Sequence, residues 1–359
     1  MQKLSALCAC LLLLLAAASG TAQASPAAAG TAVSRIACTS ASQKLDEEGF
    51  VAIGGIRQWV TIKGDSCANP VILNIHGGPG NPVSAYASVI YAGWEKNYTL
   101  VQWDQRGAGK TYGESTPDTD AALTLDLMTQ DGVALASYLT QHLGQKKLIL
   151  MGGSWGAMLG VSILKAAPEL FHAYIGTAQM VSYADNQRAT YSSVLALAKA
   201  ANDQDALAKL SAVGAPPWAN PRHFGIVRRI IRQYEAKTTT PMPAAWWVAA
   251  PAYATPKAMA DYEGGEDYSF LQFVGMKGDG MFSRFDLPKR GTAFTVPFFL
   301  VQGTEDLLTT PDIARAYFDS VTAPQKEFVM VPRAGHDPNQ VTLNAQYKLL
   351  QERVRPMIK

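Results

Sequence analysis

Gly152-Gly153-Ser154-Trp155-Gly156 follows the apolar run Leu148-Ile149-Leu150-Met151 and precedes a helical stretch, Ala157 to Ala167. Four apolar residues ahead of a glycine pair suit a buried strand. The serine therefore falls on a strand-to-helix turn, a sharp and strained geometry that lifts its hydroxyl above the sheet edge. Glycines flank it because the strand and helix backbones pass too close there for side chains. The pentapeptide alone recurs by chance. Its weight here comes from the strand before it, the helix after it and the residues that can serve it further along the chain.

On either side of this turn lie further short apolar runs of the kind that form buried parallel strands: Val71–Ile75, Thr99–Trp103, Lys147–Met151, Ala173–Gly176, Val296–Val301 and Glu327–Val331. Two more β-like segments precede them, near Phe50–Ile53 and Trp59–Lys63. Helical patterns alternate with the runs. Leu123–Leu143 is amphipathic, Thr310-Pro311-Asp312 opens a helix with proline at its first position, and Asn339 to the C-terminus reads as the last helix. This alternation predicts an α/β fold: a mostly parallel sheet flanked by helices. Residues 182–292 break the rhythm. They carry helical segments (Tyr191–Leu210, His223–Ala236), proline pairs and many aromatics, and no convincing buried strand. They read as a helical cap over the carboxyl edge, where open α/β sheets bind ligands. The expected organisation is a core of residues 43–181 and 293–359 with a cap of 182–292.

The N-terminus begins Met1-Gln2-Lys3, continues with an apolar run to Ala18 and reaches Ala22-Gln23-Ala24. A basic start, an apolar stretch too short to span a bilayer and an A-x-A site predict a cleaved signal peptide over residues 1–24, hence export to periplasm or medium. Residues 25–42, rich in Ala, Ser and Thr, read as a flexible lead-in. The 359 residues carry a net charge of +2, and loss of Lys3 lowers it by one. That balance points to neither a nucleic acid nor an anionic membrane as partner. Cys38 and Cys67 remain after cleavage. In an oxidising compartment they are candidates for one disulfide, with two separate thiols as the alternative.

A serine hydroxyl needs a base before it becomes nucleophilic. Of five histidines (76, 142, 172, 223 and 336), His336 lies just past the last strand, in Arg333-Ala334-Gly335-His336-Asp337. On a sheet with a serine elbow, the partners follow in the order serine, acid, histidine. The acid that directly follows a core strand lies in Gly303-Thr304-Glu305-Asp306; strand-glycine-x-x-Asp spacing favours Asp306, with Glu305 as the alternative. Acyl transfer also needs donors for the developing oxyanion. His76-Gly77-Gly78-Pro79-Gly80, just past Val71–Ile75, can present backbone N–H groups. Gly78 is the favoured donor and Gly77 the alternative; the N–H of Trp155 is the second donor. Neither a metal-ligand cluster nor a dinucleotide fingerprint is present. Gly107-Ala108-Gly109-Lys110-Thr111 lacks the first glycine of a phosphate loop. No metal or cofactor is expected, only a small-molecule substrate.

Three motifs together resemble the proline iminopeptidase family of α/β-hydrolases: His76-Gly77-Gly78-Pro79-Gly80, Trp103-Asp104-Gln105-Arg106-Gly107-Ala108-Gly109 and Gly152-Gly153-Ser154-Trp155-Gly156. The likeness covers about residues 50–180 and 293–340. It implies an α/β-hydrolase fold with Ser154 as nucleophile, Asp306 as acid and His336 as base. His76, Gly77, Asp104 and Arg106 would be supporting residues, the last two as a buried ion pair fixing a loop. It further implies removal of an N-terminal residue, proline for example, from short peptides. The family's aminopeptidases hold the substrate's amino group with cap acids, often beside Trp-x-x-Trp-Glu. The nearest text here, Trp246-Trp247-Val248-Ala249-Ala250, has no glutamate. Acids in the cap include Asp185, Asp261, Glu263, Glu266 and Asp267, of which Asp185 follows a core strand most closely. Trp246, Trp247 and Tyr253 are expected to line an apolar pocket. A carboxylesterase or small-amide hydrolase with the same three residues is the alternative.

Overall fold

Parallel strands need long crossovers, usually helical, and that requirement organises the chain. The computed structural model describes residues 37–118 and 122–358. The expected signal peptide, with its cysteines Cys8 and Cys10, and the lead-in up to residue 36 lie outside the described residues. The strands are β1 Leu45–Ile53, β2 Ile56–Gly64, β3 Val71–Ile75, β4 Thr99–Trp103, β5 Leu148–Gly153, β6 Phe171–Thr177, β7 Phe298–Gly303 and β8 Lys326–Val331. They form one sheet in the order β1-β2-β4-β3-β5-β6-β7-β8. β1, β2 and β4 pair antiparallel, and every other neighbouring pair is parallel. The β1–β2 turn is Gly54-Gly55, both at positive φ, which only glycine adopts without strain.

Between these strands run α1 Ala87–Ile90, α2 Gly109–Glu114, α3 Leu125–Leu143 and α4 Trp155–Ala166; then α5 Tyr183–Ala200, α6 Gln204–Val213, α7 Pro221–Glu235 and α8 Pro256–Val274; and finally α9 Pro311–Ser320 and α10 Gln340–Leu349. Successive strand residues face opposite sides, so the alternation of Ile72 with Leu73, and of Ile149 with Leu150, builds two cores. Leu73 and Leu150 pack with Leu135, Leu139 and Leu159 of α3 and α4. Ile72 and Ile149 pack with Leu343 and Leu349 of α10. Residues 155–164 of α4 are all buried, so the helix behind the serine is held on every side. Truncating Leu159, which is fully buried, to alanine would cost about 2–5 kcal/mol.

The expected helix Tyr191–Leu210 is in fact two. The chain breaks at Asn202, at φ 51°, and Asp203 caps α6 by accepting from the Ala206 N–H. An Asx residue in the left-handed region followed by an Asx cap stops one helix and starts the next. The cap has its own core: Val194, Leu210, Trp218, Val227, Ile230 and Ile231 join α5, α6 and α7. It leaves the sheet at Ser182 and returns near Asp286, where the two residues form an isolated antiparallel bridge. Cys38 and Cys67 are bridged, closing a loop across 29 positions. Such a crosslink contributes about 3–4 kcal/mol by restricting the unfolded chain. With the Ala37 N–H donating to the His142 carbonyl, the described end of the expected lead-in is fastened to the core.

Candidate active site

Ser154 sits between β5 and α4 at φ 55° and ψ −118°, a conformation that costs a non-glycine residue about 1–3 kcal/mol. The surroundings impose it. A Cβ on Gly152 would lie 2.3 Å from the Gly156 carbonyl oxygen, and one on Gly156 would lie 2.0 Å from that of Ile75. The Ser154 N–H donates to the Thr177 carbonyl at 2.9 Å. The Trp155 N–H opens α4 and so has no partner within the helix. In the oxyanion segment, a Cβ on Gly77 would stand 3.7 Å from that of Ser154, while Gly78 turns at φ 109°. The two glycines thus lie against the serine and the bend.

His336 Nε2 is 2.9 Å from Ser154 Oγ, and its Nδ1 is 3.2 Å from each oxygen of Asp306. Asp306 and His336 are both buried. Asp306 accepts from the N–H groups of Leu308 (2.9 Å) and Thr309 (2.7 Å), the Thr309 hydroxyl (2.6 Å) and the Gln302 amide (3.1 Å). Burial pushes its carboxyl up, but His336 and the Thr309 donors overcome that and hold it below the usual range. Glu305 is partly exposed and, among the described residues, its carboxylate takes only the neighbouring Thr304 hydroxyl. Of the two candidate acids, Asp306 is the one brought to His336. The array can pass a proton from serine to imidazole while the carboxylate stabilises the resulting cation.

His76 is not built for that task. Its Nδ1 donates to the Gly77 carbonyl at 2.8 Å and its Nε2 accepts from the Gln105 N–H at 3.3 Å. Both nitrogens are committed in a neutral ring, and burial pushes its pKa down to about 4. Asp104 and Arg106 do not pair with each other. Arg106 makes a two-pronged contact to Asp131 of α3, at 2.8 and 3.1 Å, and reaches the Gly54 carbonyl. Asp104 instead accepts from the Ser84 hydroxyl and the Lys110 N–H. The segment still braces the site, through a residue that sequence reasoning passed over. Gln105, fully buried, donates to the His76 carbonyl at 3.1 Å and accepts from the Trp155 indole at 2.9 Å. It ties the oxyanion segment to the helix that follows the serine.

The cap departs most from expectation. Asp185 is half-exposed and is occupied by Arg188 at 2.8 Å and by the Ser182 cap. Trp246 is buried in the α10-side core beside Tyr91 and Trp94, because the turn carrying it folds back onto the sheet's helices. Trp247 is 69% exposed and lines, with Tyr253, Tyr262 and Asp104, a cavity of about 380 Å³ that holds none of Ser154, Asp306 and His336. A cap acid that does reach His336 is Glu235, the last residue of α7. It accepts from the Leu307 N–H at 2.9 Å and the His336 N–H at 3.1 Å. Burial and the nearby Asp306 charge push its carboxyl up. Glu235 lies in the expected helical segment His223–Ala236, and nothing in that stretch of sequence marks it out.

Residues 70–339 match the α/β hydrolase fold family. The chain belongs to that family. Among its relatives, a probable aminopeptidase, YbaC of Bacillus subtilis (strain 168), is 26% identical over 298 residues, 80% of this chain and 90% of the other. A proline iminopeptidase of Clostridioides difficile (strain 630) is 25% identical over 201 residues, covering 54% of this chain and 62% of the other. The crystal structure of a Mycobacterium smegmatis proline iminopeptidase superposes with a TM-score of 0.58 at 17% identity, over 87% of this chain and 97% of that one. At that identity the superposition speaks to the fold alone. The α/β hydrolase is thus an enzyme fold whose relatives here are named as aminopeptidases.

Proposed function

We propose that this α/β hydrolase is a serine hydrolase of the proline iminopeptidase type, releasing an N-terminal residue from short peptides. Ser154 Oγ attacks the carbonyl as His336 Nε2 takes its proton, and Asp306 orients and stabilises the imidazolium. The Trp155 N–H and the oxyanion segment at Gly77-Gly78 receive the developing negative charge. His336 returns the proton to the leaving amine, and water then hydrolyses the acyl-enzyme. The observation that carries this reading is the continuous contact from Ser154 through His336 to Asp306 on a strained elbow. Export is proposed with it, supported by the pattern of residues 1–24 and by a Cys38–Cys67 bridge suited to an oxidising compartment.

A second reading, an esterase or small-amide hydrolase, has its own support. Among the described residues of the cap, the buried acid is Glu235, and both its oxygens already hold backbone N–H groups. The test compares wild type and Ser154→Ala on L-prolyl-p-nitroanilide and on a short p-nitrophenyl ester. Serine-dependent release from the anilide is expected under the first reading, and turnover of the ester alone selects the second. Cleavage by Ser154→Ala at the wild-type rate would sink both.

A further inference from the structure

We propose that Glu235 is a positioning residue that locks the acid-bearing and base-bearing loops to one another and to the cap. The proposal rests on the reading of Ser154, His336 and Asp306 given above.

The acid and base reach the site from different places. Asp306 comes from the loop after β7 and His336 from the loop after β8. Their side chains meet through hydrogen bonds of 3.2 Å; behind them the two loops share a backbone bond from the Glu305 N–H to the Ala334 carbonyl at 2.9 Å, which leaves the N–H groups of Leu307 and His336 to a tie of their own. Glu235 supplies one. Oε1 takes the N–H of Leu307, the residue after the acid, and Oε2 takes the N–H of the base itself. A single planar carboxylate with both oxygens engaged fixes the spacing of two loops, which a single-acceptor side chain cannot do. The fit is tight: a Cβ on Gly335 would lie 2.6 Å from Glu235 Oε2. Two further residues of α7 reinforce the hold. Arg228 bonds Asp337, and Arg232 reaches the same carboxylate at 3.2 Å. Positions 228, 232 and 235 share one helix face, and that face grips residues 335–337.

The charges facing Glu235 are Asp306, His336 and Arg228, with Asp337 and Arg232 just beyond. Glu235 therefore does two things. It holds the imidazole where Ser154 can use it, and its negative charge favours the imidazolium formed during attack. A group that merely filled space would do neither.

The test uses Glu235→Gln, Glu235→Asp and Gly335→Ala beside wild type, in the intact chain. A glutamine keeps the shape but presents one acceptor and one donor to two N–H groups, so one tie is lost. A 1 Å misplacement of a catalytic group costs on the order of 100-fold. Labelling of Ser154 by a fluorophosphonate probe, which needs no knowledge of the substrate, is expected to slow roughly 10- to 100-fold in Glu235→Gln. Its acid limb in the pH dependence of labelling is expected to move to lower pH, because a neighbouring negative charge is gone. On the substrate that wild type turns over, kcat falls and KM stays near its original value. Glu235→Asp, which keeps the charge, recovers the pH limb without the full rate. Gly335→Ala crowds the carboxylate and reproduces the rate loss should Glu235→Gln fail to fold by circular dichroism. Wild-type labelling rates and an unmoved acid limb in folded Glu235→Gln, or an unaffected Gly335→Ala if that variant must decide, overturn the proposal alone. Wild type that does not label at Ser154 overturns the site reading, and the proposal with it.

Discussion

Two aspartates sit just past the carboxyl ends of parallel strands, Asp104 after β4 and Asp306 after β7, and each is 1% exposed. Their chemistry diverges. Burial raises the Asp104 carboxyl to about 6, against the Ser84 hydroxyl and the Lys110 N–H. Burial raises Asp306 too, but His336 and Thr309 more than reverse it. Desolvation is common to both. The donors and the cation at hand decide the sign. Lys110 is close to Asp104 in sequence, yet its ammonium lies over the rings of Trp59 (3.9 Å) and Tyr253 (4.0 Å), so much of its reach is spent on aromatic faces. One strand end is built to keep an anion; the other tolerates a carboxyl whose titration is raised to about 6.

The sharpest way to break this contrast is to remove each charge in turn. Asp306→Asn is expected to lower kcat on the order of 10⁴-fold, because the imidazole loses its orienting anion. Asp104→Asn should lower it less than about tenfold, since Asp104 touches neither Ser154 nor His336. Steady-state rates on the same substrate check the pair, and comparable losses would mean that Asp104 shares the chemistry.

Stability against pH sharpens it from the other side. Asp104 binds its proton more tightly folded than unfolded, so its contribution diminishes as pH rises from about 4 through 6, by at most about 3 kcal/mol. Asp306, with a lowered carboxyl, works the opposite way: its contribution is present above the unfolded carboxylate range and is lost as pH falls through the folded one. Urea unfolding of Asp104→Asn at pH 4.5 and 7 should therefore show more gain, or less loss, on going to pH 7 than wild type shows. An identical change in the two proteins would mean that Asp104 is not perturbed by its burial. The smallest effect belongs to the neighbour that competed with Asp306. Glu305→Gln should leave kcat within about twofold, as expected of a partly exposed surface change. A loss approaching that of Asp306→Asn would reassign the acid.

The sheet was legible because buried parallel strands are written as short apolar runs, and all eight segments read from the sequence fall within or across the observed strands. The meeting of Ser154, His336 and Asp306 was legible for a related reason: each follows a strand, where the loops of such a fold converge. What stayed hidden depends on where a chain returns rather than where it goes. Trp246 looked like cap lining because it lies among cap residues, yet its turn folds back into the core. Asp185 follows a strand, but it starts a helix and is taken up by Ser182 and Arg188. Glu235 belongs to no motif, and Gln105 stands inside the Trp103–Gly109 motif with nothing to mark its own role, since their partners are backbone groups and an indole 29 to 101 positions away. No local pattern encodes such a meeting.

The closeness of Gly152 and Gly156 to neighbouring carbonyl oxygens has a consequence for reading genomes. These two positions are where sheet and helix touch, and they would be as empty in a descendant whose serine had been replaced. In the five-letter signature, then, the outer glycines report architecture, and only the middle letter reports chemistry. A search that scores all five alike counts a packing constraint as evidence of catalysis.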